Sequence, residues 1–194
     1  MRIDTVYFMK SILVFLIAST LLHQTCFGTT SLSGDWQIQC KDGLIKEQHI
    51  QDNFVKSTES FFSDKLCQKL SFIFETAGTV SFERHQQTWI DFKYSSVRLT
   101  VFIDSAITDL NTRQVCGFDN WTSGNVKDIT GLHCALFNEN KETQIPMAGE
   151  MKYGIYRMID TMLFYGELTI DHDGSSAATR PIEFSQAFYT KIVN

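Results

Sequence analysis

The alternation of apolar and polar side chains is what most constrains this chain. Leu70, Phe72 and Phe74 alternate with Ser71, Ile73 and Glu75, and Val97, Leu99, Val101 and Ile103 alternate with Arg98, Thr100, Phe102 and Asp104. A period of two puts every second side chain on one face of an extended chain, so both stretches read as strands with one face that must be buried. Further strand candidates lie at 35–40, 48–62 with a break near Asp52, 79–86, 88–94, 151–159, 162–170 and 182–192. Turn-forming pairs separate them: Asp42-Gly43, Ser63-Asp64, Ala77-Gly78, Asp160-Thr161 and Asp173-Gly174. About eight short strands with almost no long helical pattern predict an all-β fold, an antiparallel sandwich or barrel.

Two segments break the rhythm. Residues 105–114 place Ala106, Ile107 and Leu110 at helical spacing behind Ser105, a candidate cap, and predict one short helix. Residues 116–134 contain Gly117, Gly124 and Gly131 without sustained periodicity and read as a loop bounded by Cys116 and Cys134. A second long polar connection runs over 171–181.

The beginning of the chain reads as an address. Arg2 and Lys10 precede an apolar run over 11–22, shorter than the roughly 20 residues that span a bilayer, and small Gly28 follows a polar shoulder. Residues 1–28 are therefore expected to be a signal peptide cleaved after Gly28, and 29–194 a single domain, secreted or periplasmic, monomeric and without a membrane span. An alternative with Cys26 as an acylated first residue lacks the small residues that normally precede such a cysteine. Cleavage leaves Cys40, Cys67, Cys116 and Cys134, which on an exported chain read as two disulfides. Four cysteines allow three connectivities. Sequential pairing, Cys40 with Cys67 and Cys116 with Cys134, is expected because each bond closes a local segment.

Charge and motifs narrow the function classes. A net charge of -5 and a pI near 5.5 argue against nucleic acid as a partner, which clustered Lys and Arg would hold. No G-x-S-x-G elbow, H-E-x-x-H helix or phosphate-cradling glycine loop is present, and His49, His85, His133 and His172 stand far apart. An enzyme would need His85 or His133 to meet an acid in a pocket, so a non-catalytic protein is expected. Cys116, His133 and Cys134 form an incomplete zinc set in a chain whose cysteines are expected to be oxidised. Asp171, Asp173, Gly174 and Ser175 start like a calcium loop that then lacks its Glu. Neither metal nor other cofactor is expected.

Gly34-Asp35-Trp36 at the head of the first mature strand resembles the G-x-W signature of lipocalins and related calycins. The resemblance implies an antiparallel barrel of about eight strands. Trp36 would lie across the closed end, and the other end would open on a cavity for a small apolar ligand. The T-D-Y motif of that family is absent, and Arg180 is the candidate for the late basic residue that covers the Trp. A closer likeness, to exported bacterial lipocalin-like proteins, runs through Trp36, Cys40, Cys67, Cys116-Gly117, Trp121, Asp128-Ile129-Thr130-Gly131, Cys134, Tyr153 and Arg180-Pro181.

Two functional expectations follow. In the first, an exported binding protein holds a small apolar or amphipathic ligand among Trp36, Phe72, Phe74, Trp89, Leu99, Val101, Tyr153 and Tyr165; the competing reading is that these residues simply fill the barrel. In the second, a filled barrel displays Phe118, Asp119, Asn120, Trp121 and Asp128 of the 116–134 loop to a protein or glycan. Against this stands a loop whose Trp121 folds back to plug one mouth of the barrel.

Overall fold

Two-residue turns set the register. In the computed structural model, which describes residues 32–84, 88–136 and 141–193, strand β1 (Gly34–Lys41) turns through Asp42-Gly43 into β2 (Leu44–Gln51). Both turn residues have positive φ, 51° and 82°, the backbone that a tight hairpin between right-twisted strands requires. Asp52, at φ 54°, turns β2 into β3 (Phe54–Phe62). Next come β4 (Leu70–Arg84) and β5 (Thr88–Val101), then helix α1 (Asp104–Thr112) and three short strands, β6 (Val126–Asp128), β7 (His133–Cys134) and β8 (Thr143–Gln144). The chain ends in β9 (Met151–Ile159), β10 (Met162–Gly166) and β11 (Phe184–Lys191), with Asp160-Thr161 turning β9 into β10. The expected signal peptide, Cys26 and His85 lie outside the described residues.

Strands β1 to β5 and β9 to β11 pair antiparallel with their chain neighbours, and β11 pairs with β1, closing an eight-stranded barrel. Residues 102–150 are inserted between its fifth and sixth strands; within them β6 continues the sheet from β5, and β7 and β8 form a separate ribbon.

Three local expectations are corrected. Ala77-Gly78 is not a turn: β4 runs straight through it, Ala77 pairing with Ser96 and Gly78 with Tyr94. Ser95 is thus the extra residue of a bulge. The bulge shifts the phase of β5, so that Ile90, Phe92 and Tyr94 before it and Val97, Leu99 and Val101 after it face the same side. What reads as two pairs of short strands is one long hairpin. Gly78 is needed there for space, because a Cβ would collide with the Lys93 carbonyl and sit 2.7 Å from the Phe92 ring. Helix α1 begins two residues early: Ile103, and not Ser105, occupies the capping position without a side-chain hydrogen bond, Ser105 lies inside the helix, and Asp104 carries the acidic charge of the first turn. Finally, β10 stops at Gly166 and not near 170.

The core has two parts. Trp36, Ile50, Val55, Val80, Ile90, Leu163 and Tyr189 pack together at one end of the barrel. Val97, Leu99 and Val101 pack instead with Leu110, Val115, Trp121, Ile129 and Ile145 of the insertion. Disulfides Cys40–Cys67 and Cys116–Cys134 form as the sequence predicts, the first joining β1 to the loop after β3, the second closing the insertion.

Candidate functional site

The floor of the barrel interior is the core around Trp36. The Trp36 side chain is fully buried, and its indole N–H donates to the Leu32 carbonyl at 2.8 Å. The residue over its ring is Lys191, whose Nζ stands 5.3 Å from the ring centroid, and not Arg180. Gly34, at φ +131°, leaves room for that lysine stem: a Cβ there would meet Lys191 Cε at 2.9 Å. Lys191 is the register partner of Trp36 on β11, so the last strand brings the cation to the first.

Above this floor lies a cavity of about 240 Å³. Val55, Val80, Ile90 and Phe92 give it apolar walls. Strand register sets Gln48 beside Ser57 and Ser57 beside Thr76, so three neighbouring strands present a row of polar groups to the same space. Tyr94 and Tyr165 complete that belt, and the Tyr165 hydroxyl donates to Gln48 Oε1 at 2.8 Å. Burial pushes the Tyr165 hydroxyl far above the usual tyrosine range, with neighbouring Tyr189 adding to it, and burial raises Tyr189 likewise. Tyr94 is raised by burial and then by the charges of Glu150 and Glu59.

One wall of the cavity is a strap. Because β10 ends at Gly166, the first half of β9 lacks a strand partner on that side, and residues 167–183 take its place. Tyr153 N–H donates to the Gly174 carbonyl at 2.8 Å, and Arg180 Nη1 donates to the Gly154 carbonyl at 2.6 Å. Leu168 and Pro181 of the strap border the cavity. Arg180 pins the strap: it is 7% exposed, paired with Asp91 at 2.6 Å, and stacked over Trp89 (4.4 Å) and Tyr153 (5.3 Å). Asp173, in the strap turn, is held down to about 2 by hydrogen bonds from the Ser175 N–H and hydroxyl, then from Thr179, with Lys152 contributing charge.

Of the residues expected to line a cavity, Tyr153 and Tyr165 border this one. Trp36 lies in the floor, and Trp89 faces Arg180. Phe72, Leu99 and Val101 border a smaller cavity of about 120 Å³ beside α1, with Ala106, Leu110 and Leu136. Phe74 packs against the insertion core. Gln48, Ser57 and Thr76 were not foreseen, because a polar residue on a strand ordinarily faces water. The available signal was the parity of Gln48 with Ile50, of Ser57 with Val55 and of Thr76 with Val80, each a buried residue of the same strand.

In the 116–134 loop, Trp121 is buried and not displayed: its ring packs edge-on against Phe118, and its indole N–H donates to the Val115 carbonyl at 3.3 Å. The side chain of Asn111 on α1 holds the Trp121 backbone from both sides, at 2.6 and 3.0 Å. Phe118 is half-buried under Lys127, while Asp119, Asn120 and Asp128 are exposed. Hydrogen bonds from the Thr130 hydroxyl and N–H hold the Asp128 carboxyl below its usual range. Cys116 and Cys134, two of the three residues of the incomplete zinc set, are bonded to each other. His49 pairs with Asp35 on the surface, His133 is exposed, and His172 contacts the Arg180 carbonyl inside the strap. No helix among the described residues is long and apolar enough to cross a membrane. No protein-family model matches the chain, and no curated protein is significantly similar to it.

Proposed function

We propose that this protein is an exported, lipocalin-like carrier that holds a small apolar or amphipathic molecule in its barrel without transforming it. The observation that supports this reading is the cavity of about 240 Å³ beside the Trp36 core, apolar in its walls and polar along one belt. Its size is close to the lower end of small-molecule sites. Burial is the driving force, about 25 cal/mol for each Å² of apolar ligand surface removed from water. Affinity is expected at about the micromolar level. Export accounts for residues 1–28 and for two disulfides in a chain of this size.

Native mass spectrometry of the protein purified from its own host tests the reading. An adduct of a few hundred daltons, present under gentle conditions and lost on denaturation, is the expected result, on a chain that begins at Thr29. A chain without an adduct that also fails to bind an apolar fluorescent probe would overturn it.

A further inference from the structure

Among the described residues that border the cavity, Lys152 alone carries a charge at neutral pH. Strand pairing sets Phe92 beside Lys152 and Ile90 beside Gly154, so the lysine and the glycine share the interior face of those two apolar residues. Tyr156 and Met158 follow on the same face of β9 and pack against the Trp36 floor. From Lys152 to Met158 the strand covers roughly 20 Å. The interior position nearest the lysine along this path is Gly154, which puts no side chain into the space: a Cβ there would already stand 3.3 Å from the Ile90 carbonyl.

Lys152 is half-buried and forms no ion pair with a described residue. Its stem leans on the strap turn, with Cε 3.4 Å from where a Gly174 Cβ would be. Asp173 of that turn feels the lysine charge, yet its carboxylate accepts from the Ser175 N–H at 2.9 Å. Glu59, two residues beyond Ser57 on the same face of β3, is paired with Lys46 at 2.7 Å, and Glu150 accepts from the Met147 N–H. No described Asp or Glu borders the cavity. A cation partly withdrawn from water, on a wall otherwise apolar or neutral, gains more from an anion than from a neutral group, because charge attraction and charge-assisted hydrogen bonds both strengthen as water is excluded.

We infer that the cavity binds an apolar chain ending in a carboxylate, with the acid group against the Lys152 ammonium and the chain running past Gly154 toward the Trp36 floor. The inference rests on the carrier reading above.

Displacement of bound N-phenyl-1-naphthylamine from the disulfide-bonded protein by octanoate and by 1-octanol at neutral pH tests it. The two competitors share a chain length and differ in the charge of the head. Octanoate is expected to compete about tenfold better, the gain of one charge-assisted hydrogen bond. Lys152→Met, which keeps most of the apolar stem, is expected to abolish that advantage, and Lys152→Arg to keep most of it. The comparison in the wild-type protein decides even where a variant fails to fold. Octanol competing as well as octanoate there, or an octanoate advantage that survives in Lys152→Met, would overturn the inference and leave the carrier reading standing. A naphthylamine that does not bind at all would remove the carrier reading and this inference with it.

Discussion

Arg180 and Asp91 form an ion pair of 2.6 Å on the outer side of the barrel wall, with the guanidinium stacked 4.4 Å from the centroid of Trp89. The two residues lie far apart in sequence, and their meeting ties residues 167–183 to the gap that β10 leaves beside β9. Removing one partner of a buried pair strands the other charge, so Arg180→Ala is expected to destabilise the fold by about 3 kcal/mol. Arg180→Lys should recover little, since an ammonium cannot reproduce the planar stack and the bond to the Gly154 carbonyl together. Urea unfolding with an unchanged m-value is the check.

Trp36→Ala empties the barrel floor and leaves Lys191 without its aromatic face. A loss of about 3–5 kcal/mol is expected, as for other large aromatic side chains cut back to alanine in a core. Full stability together with strong ligand binding in this variant, measured by denaturation and probe titration, would contradict the placement of Trp36 in the floor.

Tyr94, Tyr165 and Tyr189 have raised hydroxyl pKa values, burial being the first cause in each. In the unfolded chain these hydroxyls ionise near 10, while in the barrel they stay neutral above that pH, so the folded state binds more protons. Stability is therefore complete below about pH 10 and falls as the pH rises past it. Ultraviolet absorbance followed through a pH titration should show the phenolate signal of these three coinciding with loss of circular dichroism.

Cys116 and Cys134 changed together to Ser should cost roughly 3 kcal/mol in the chain-entropy account, with the damage concentrated in the insertion. Trp121 belongs to the core that this bond closes, whereas Trp36 belongs to the floor. The emission of Trp121 should shift to the red, and that of a Trp121→Phe control carrying the same Ser pair should not.

Gly78→Ala places a methyl group against the Lys93 carbonyl and the Phe92 ring. Overpacking of this kind is expected to destabilise by about 1–3 kcal/mol. Thermal unfolding of the variant would show it, and an unshifted midpoint would mean that the β4 to β5 hairpin opens at this point.

The turns that made the barrel legible were those where sequence chemistry and backbone agree. Asp42-Gly43 and Asp160-Thr161 stand between apolar strands, and Asp42, Gly43 and Asp160 take the positive φ that such turns use. Ala77-Gly78 carried the same signal and misled, because Gly78 serves packing, and a bulge residue such as Ser95 has no composition of its own. The cavity was less legible than the fold. Tyr153 and Tyr165 announce themselves as aromatic residues among strands, but Gln48, Ser57 and Thr76 become neighbours only once the register of three strands is fixed. Arg180 was legible as a basic residue with an aromatic partner; which tryptophan it met depended on where β10 ended.

The bulge at Ser95 has a bearing on how this protein can change over generations. Most single-codon deletions in a barrel shorten a loop. One at Ser95 would instead rotate the remainder of β5, turning Arg98 toward the insertion and Leu99 toward water. The damage would equal that of several simultaneous substitutions in one step. A codon with little chemistry of its own is thereby guarded against loss far more strictly than against replacement, and serine there can give way to other small residues while the reading distance from Tyr94 to Val97 stays fixed.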